Sequence, residues 1–223
     1  MNFYNSIKMS PGIPKGMPDE YFFKKMVNNK VIVFIDGTYL YKIQKEFERI
    51  YNERYKIEYN QLAITFAKSQ GFWLVKTYYY CAPPYQDPIP TDDQKKRIAG
   101  YNRVMNYYNK ITNFIVREGR CQYVENEYHE KGVDSLVIID LMETMLLDHQ
   151  PKVNKIILLA CDTDFVPAIE KLRKNGYEVI LFHYTDKKRG SKFSMSNHLE
   201  VSCNRCILLE RDHLLKSLYV SKK

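Results

Sequence analysis

The sequence predicts an α/β fold in which helices flank both faces of a central, mostly parallel sheet. Residues 31–35 and 156–159 are short, continuous apolar runs, which are typical of strands buried on both faces of a parallel sheet. Residues 165–172 follow the second run with apolar side chains at helical spacing, and Gly176 stands just past the predicted helix end. Residues 179–182 form the next apolar run, so this part of the chain predicts a β-α-β unit.

The remaining segments extend this unit into one predicted domain over residues 30–209. Helical spacing is present in residues 39–51, 59–68 and 92–110, and another apolar helix is predicted to begin near Lys131. Further strands are predicted at residues 72–80, 114–116, 121–124 and 206–209, with the middle two forming either a strand pair or a strand with an edge hairpin. An N-terminal extension (1–29) precedes the domain, and a final helix through Leu218 with a tail (210–223) follows it.

The composition favours a polyanionic partner and a reducing compartment. Lys and Arg total 34 against 26 Asp and Glu, so the net charge of the 223-residue chain is +8. Five cysteines are an odd number, and the chain has no secretory signal pattern, so we expect free thiols and a cytoplasmic location. No apolar run approaches the roughly 20 residues of a membrane span, so no membrane association is expected. A homo-oligomer is left open.

Carboxylates stand at the ends of two predicted strands. Asp36 follows the first strand, and Asp162 and Asp164 follow a later one, so they should lie where open α/β sheets bind ligands. Asp134 falls in the first turn of a helix, where the helix dipole stabilises a negative charge. Asp140 is about a third of a turn off the line of Asp134, which favours a supporting role. Such a group of acids favours Mg²⁺ or Mn²⁺, which could polarise a phosphodiester and activate water for hydrolysis.

Other chemistries lack their sequence patterns. No GxGxxG or GxxxxGK[ST] motif is present, which removes the main support for dinucleotide and P-loop sites. The late Asp-x-Asp pair is followed by Phe165, whereas haloacid-dehalogenase-like phosphatases have a threonine there. Two groups of basic residues are predicted to bind nucleic acid, although a solvated charged face is the alternative. They are Lys95, Lys96, Arg97 and Arg103 on a helix, and Lys187, Lys188 and Arg189 in a loop.

Four stretches together resemble the NYN domain family, LabA-like branch, of the PIN-like nucleases. They are Phe34-Ile35-Asp36-Gly37, Lys131-Gly132-Val133-Asp134, Ile138-Ile139-Asp140 and Asp162-Thr163-Asp164-Phe165-Val166-Pro167. The resemblance implies a PIN-like fold, an Mg²⁺ or Mn²⁺ site and RNA cleavage. It also implies that Asp36, Asp134 and Asp162 bind metal, with Asp164 alongside, and that Asp140 is a recurrent family residue.

Two departures from the family pattern affect groups around the acids. Tyr39 stands where the family usually has asparagine, and Thr38 is a candidate to supply a hydroxyl instead. The family's serine-glycine before the late acids is Ala160-Cys161 here. Supporting groups of this kind often set activity. We therefore expect a metal-dependent endoribonuclease, with a catalytically weak RNA-binding or protein-interaction module as the alternative. DNA is a possible substrate because a carboxylate-metal site does not itself recognise the 2′-hydroxyl.

Overall fold

A six-stranded, wholly parallel sheet forms the centre of the computed structural model, which describes residues 29–146, 153–186, 193 and 196–220. The strands are β1 (Lys30–Asp36), β2 (Trp73–Cys81), β3 (Phe114–Glu118), β4 (Arg120–Val124), β5 (Glu127–Lys131), β6 (Lys155–Leu159), β7 (Glu178–His183) and β8 (Arg205–Leu208). The central sheet has the order β3-β2-β1-β6-β7-β8, and β4 pairs with β5 in a separate hairpin. The predicted α/β architecture is confirmed.

Helices cover both faces of the sheet. They are α1 (Gly37–Tyr51), α2 (Tyr59–Ser69), α3 (Asp92–Tyr108), α4 (Val133–Leu146), α5 (Val166–Lys174), α6 (Asn197–Ser202) and α7 (Arg211–Leu215). Alternate residues of β1 belong to different cores, because successive strand side chains point to opposite faces. Val33 packs with apolar residues of α1, α2, α3 and α7, whereas Phe34 packs with those of α4, α5 and α6.

The direction of the chain connections reverses between β1 and β6. The chain leaves β1 through α1 and α2 on one face towards β2, and it leaves β6 through α5 on the other face towards β7. In open α/β sheets such a reversal opens a crevice beyond the carboxyl ends of the two strands. Asp36 ends β1, and Asp162 follows β6 by three residues, so both predicted acids are at this crevice.

Gly37 allows the chain to turn tightly from β1 into α1. A Cβ at this position would lie 2.5 Å from the Tyr80 carbonyl oxygen and 2.7 Å from the Tyr79 ring. Both contacts come from β2, which is hydrogen-bonded to β1 and cannot withdraw without disturbing the sheet. Only glycine therefore fits between Asp36 and the first turn of α1.

Replacing Gly37 by alanine is expected to destabilise the protein by about 1–3 kcal/mol, the usual cost of overpacking. For a chain of this length the melting temperature should fall by several degrees. Thermal unfolding followed by circular dichroism measures this, with Gly100→Ala as the control. No atom lies within 4 Å of a Cβ built at Gly100 in α3, so that variant should be as stable as the wild type or more so. Equal melting temperatures for the two variants would contradict the steric argument.

Of the two predicted arrangements, the pairing of residues 114–116 with 121–124 is wrong, and a strand followed by a hairpin is nearer to the structure. β3 instead joins the central sheet parallel to β2, and β4 pairs antiparallel with β5. The two-residue turn between β4 and β5 has positive φ at Glu125 (54°) and Asn126 (64°), as a type I′ hairpin requires. β5 was not predicted from the sequence. Every residue of Glu127–Lys131 is exposed, so the strand lacks the alternation of apolar and polar residues that would indicate it.

The C-terminal region differs in detail from the prediction. α7 ends at Leu215, and Leu218 forms an isolated bridge with Ile57 rather than continuing the helix. The short helix α6 was not predicted. Residues 1–28 of the predicted N-terminal extension lie outside the described residues. Within the described ranges, no helix is long and apolar enough to cross a membrane.

Candidate active site

Asp36 and Asp162 each cap the structure that follows their strand. Asp36 is the N-cap of α1, and its Oδ1 accepts a hydrogen bond from the Tyr39 backbone N–H at 3.0 Å. Asp162 caps the 3-10 helix Thr163–Phe165 in the same way, accepting from the Asp164 N–H at 2.9 Å. These bonds hold the two carboxyl groups at the crevice.

Two further acids reach the crevice from the hairpin and α4. Asp134 lies exposed in the first turn of α4, as predicted from the sequence. Glu130, near the end of β5, accepts a hydrogen bond of 2.6 Å from the Thr38 hydroxyl at the start of α1. Sequence reasoning missed Glu130, although it lies only two residues before the Gly132-Val133-Asp134 motif. We call Asp36, Glu130, Asp134, Asp162 and Asp164 the acid cluster.

Two members of the acid cluster, Asp36 and Asp134, have raised pKa values, and charges of the other acids contribute to both. Burial, followed by the charges of Asp134 and Glu130, raises the pKa of Asp36 to about 6. The hydrogen bond from the Tyr39 N–H acts in the opposite direction, because it stabilises the ionised carboxylate. Burial also raises the pKa of Asp134, with the charges of Asp162, Asp164 and Glu130 adding to it. All five carboxylates are thus within electrostatic range. Because like charges gathered in a crevice disfavour ionisation, a cation placed among them would be strongly favoured.

The chemistry of the donor set fits a hard divalent cation. All five side chains offer oxygen, which suits Mg²⁺ or Mn²⁺ better than a metal that prefers sulfur or imidazole. Among the residues that the structure describes, however, no three His, Cys, Asp or Glu side chains are already arranged to hold a metal ion. The fit therefore rests on charge and ligand type, and binding would require side-chain rearrangement within the cluster.

Two residues that sequence reasoning did not select also border the crevice. Desolvation, followed by the charge of Asp36, raises the pKa of the Cys161 thiol to about 11, which keeps it protonated and a poor nucleophile. The positive charge of Lys42, which is exposed on α1, lowers the pKa of the same thiol. Lys42 is therefore a cation within electrostatic range of Cys161, the residue next to Asp162.

Tyr39 and Thr38 take different positions around Asp36. The buried Tyr39 side chain points into the core, where its hydroxyl donates to the Tyr184 carbonyl at 3.1 Å and accepts from the Tyr184 N–H at 2.8 Å. Its backbone N–H, rather than a side-chain amide, contacts Asp36. The Thr38 hydroxyl reaches the acid cluster through Glu130.

Asp140 is committed to a buried ion pair. Its side chain is 1% exposed, and its carboxylate accepts from Arg117 Nε at 2.8 Å, from a second Arg117 nitrogen and from the Tyr80 hydroxyl at 2.9 Å. Tyr80 is the register partner of Asp36 across β2 and β1. Asp140 is thus linked to the acid cluster through Tyr80, which contacts its carboxylate and pairs with Asp36 in the sheet.

The predicted basic residues are only partly described. Lys95, Lys96 and Arg97 are exposed near the start of α3, which follows the loop from the carboxyl end of β2. Lys95 pairs with Asp92 at 3.2 Å. Arg103 is also exposed and lies roughly 9 Å further along the helix, away from the sheet's carboxyl edge. Lys187, Lys188 and Arg189 lie outside the described residues.

Three comparisons with known proteins give different results. No curated protein matches the chain. A crystallised protein of unknown function from Vibrio parahaemolyticus is similar with a TM-score of 0.49 and 14% identity, covering 83% of this chain and 95% of that one. The model of the NYN domain family matches residues 30–210, which is most of the chain and includes every member of the acid cluster. The protein therefore belongs to the NYN domain family.

Proposed function

We propose that the protein is a metal-dependent nuclease that hydrolyses RNA phosphodiester bonds. The observation that carries the proposal is the acid cluster at the β1-β6 crevice, where burial and the charges of neighbouring acids raise the pKa of Asp36 and of Asp134. Membership of the NYN family supports nuclease chemistry, since this family resembles the PIN-like nucleases. The motif order around Asp36, Asp134 and Asp162 further supports the LabA-like branch. We keep the cytoplasmic location as an expectation, consistent with five free cysteines.

Asp36, Asp134, Asp162 and Asp164 would hold the Mg²⁺ or Mn²⁺. When bound, such an ion supplies charge stabilisation at phosphate and lowers the pKa of a coordinated water. The chain's own contribution is positional: the caps at Asp36 and Asp162 orient their carboxylates, and Thr38 holds Glu130 beside them. Exposed basic residues, Lys42 and those at the start of α3, would hold the phosphates of the substrate strand.

A catalytically weak RNA-binding or protein-interaction module is the second candidate. One observation favours it: Tyr39 replaces the family's asparagine, and its hydroxyl is bonded to the Tyr184 backbone instead of facing a phosphate. A module of this kind would bind RNA, or a protein partner, without cleaving RNA. Metal-dependent cleavage separates the two candidates.

The test is cleavage of an end-labelled single-stranded RNA, and of the DNA of the same sequence, with Mn²⁺, Mg²⁺ or EDTA. We expect cleavage of RNA with either metal and none in EDTA. Asp162→Asn should be about 10- to 100-fold slower, the range for weakening a group near a metal, because the amide retains the bond to the Asp164 N–H but removes a charge. Asp93→Asn, an exposed acid on α3, serves as the control. Equal activity of wild type and Asp162→Asn, or no activity in either, would overturn the nuclease proposal.

A further inference from the structure

Three tyrosines form an exposed cluster on the hairpin and an adjacent loop. Tyr123 and Tyr128 are opposite one another on β4 and β5, with ring centroids 4.8 Å apart. Tyr85, in the loop after β2, lies 5.7 Å from the first ring and 5.9 Å from the second. Tyr123 is 44% exposed and Tyr128 is 59% exposed. We call these three residues the tyrosine cluster. It presents aromatic surface to solvent rather than completing the core.

The tyrosine cluster shares a face of the hairpin with a member of the acid cluster. Side chains alternate along a strand, so Tyr128 and Glu130 project to the same side of β5, separated by roughly 7 Å along the strand. Glu130 is hydrogen-bonded to Thr38 at the start of α1, beside Asp36. The tyrosine rings therefore lie one step along the hairpin from the carboxylates, at a distance that a single extended nucleotide can span.

Positive charge is also close to the tyrosine cluster. The loop that carries Tyr85 is joined to α3 through Asp87, whose carboxylate accepts from the Gln94 side chain at 2.7 Å. Gln94 is preceded by Asp92 and Asp93 and followed by Lys95, Lys96 and Arg97. Because Lys95 pairs with Asp92, Lys96 and Arg97 are the cations that a phosphate could contact here. By contrast, Glu125 in the hairpin turn and Glu127 at the start of β5 would repel phosphates. A strand of nucleic acid is thus favoured along the α3 side of the tyrosine cluster and disfavoured over the turn.

We propose that the tyrosine cluster binds an unpaired base of the strand whose phosphate enters the acid cluster. The inference rests on the proposed function and specifies its substrate as single-stranded. Bases stack on aromatic side chains with little regard to sequence, and each such contact is worth about 1–3 kcal/mol. A base that is paired inside a duplex cannot offer its face to the rings, so single strands are bound in preference to duplexes.

The experiment measures binding separately from cleavage. Fluorescence anisotropy in EDTA gives the Kd for a fluorescein-labelled 12-nucleotide RNA, as a single strand and annealed to its complement. We expect Tyr123→Ala combined with Tyr128→Ala to weaken single-strand binding about 10- to 100-fold and to leave the weaker duplex binding unchanged. Tyr123→Phe combined with Tyr128→Phe should bind as the wild type does, because stacking does not need the hydroxyl. Tyr219→Ala, an exposed tyrosine 45% accessible at the C-terminal region, is the control.

The outcomes separate this inference from the nuclease proposal. Single-strand binding by the alanine double variant equal to that of the wild type overturns the inference, and RNA cleavage with Mn²⁺ by that variant leaves the nuclease proposal standing. Loss of single-strand binding in the double variant supports the inference even if the wild type fails to cleave. A wild-type dimer that the alanine substitutions dissociate in size-exclusion chromatography, with RNA binding unchanged, would assign the tyrosines to a protein interface and overturn the inference.

Discussion

Asp36→Asn is expected to lower metal-dependent RNA cleavage at least about 100-fold and, in the same protein, to raise the melting temperature in EDTA. Cleavage falls because the charges of Asp134 and Glu130 act on Asp36, so a cation among these acids would lose one of its charges, and losing even a supporting group near a metal costs about 10- to 100-fold. Stability rises because asparagine removes a repelled, partly buried charge. Asparagine also caps helices well, so the bond from the Tyr39 N–H is kept.

The stability effect depends on pH in a definite direction. The pKa of Asp36 is raised from 3.8 to about 6 in the folded protein, so the folded state holds this proton more tightly than the unfolded state. Stability from this group is present below about pH 4 and is lost as the pH rises through 6. The gain from Asp36→Asn should therefore be small at pH 4.5 and largest above pH 7. A shift of this size corresponds to on the order of 1–3 kcal/mol, or several degrees.

Melting curves in EDTA between pH 4.5 and 8 measure this difference. Glu170→Gln, at an exposed position in the middle of α5, is the control, and its melting temperature should follow that of the wild type across the range. Adding Mn²⁺ should stabilise the wild type more than Asp36→Asn, because a bound ion favours the folded state. If Asp36→Asn were less stable than the wild type at pH 7.5 in EDTA, the ionised Asp36 carboxylate would not be destabilising the folded protein.

Arg117→Met is expected to destabilise the protein by about 3–5 kcal/mol, the usual cost of leaving a buried charge without its partner. Asp140 is 1% exposed, and Arg117 donates to both of its carboxyl oxygens. After the substitution only the Tyr80 hydroxyl and neighbouring groups would remain to stabilise that carboxylate. Methionine retains most of the length of the arginine side chain, so the loss of charge is the main change.

Urea unfolding followed by circular dichroism measures the effect. Arg117→Met combined with Asp140→Leu should recover much of the lost stability, since replacing both partners with apolar groups removes the buried charge altogether. Arg120→Met, an exposed arginine on β4, should change the free energy of unfolding by less than about 0.5 kcal/mol. If the double variant were no more stable than Arg117→Met, the loss would have to come from packing instead of the unpaired charge.

The α/β class and the strand ends that carry the acids could be predicted from the amino-acid sequence. Residues 31–35 and 156–159 are apolar throughout, and each run stops close to a carboxylate. Both the strand and the acid at its end can therefore be recognised in the sequence. The position of Asp134 could also be predicted, because the start of a helix has a local sequence signature. These patterns depend on periodicity and short-range caps, which a linear chain displays directly.

Which side chains meet at the crevice could be learned only from the three-dimensional structure. Glu130 is in a fully exposed, polar strand with no apolar period, and its place beside Asp36 follows from the hairpin turn and the Thr38 hydrogen bond across 92 residues of sequence. Asp140 has a helical position near Asp134, yet β3 delivers Arg117 and β2 delivers Tyr80 to its carboxylate. Such contacts join residues distant in sequence, and the order of strands in the sheet, rather than any local preference, brings them together.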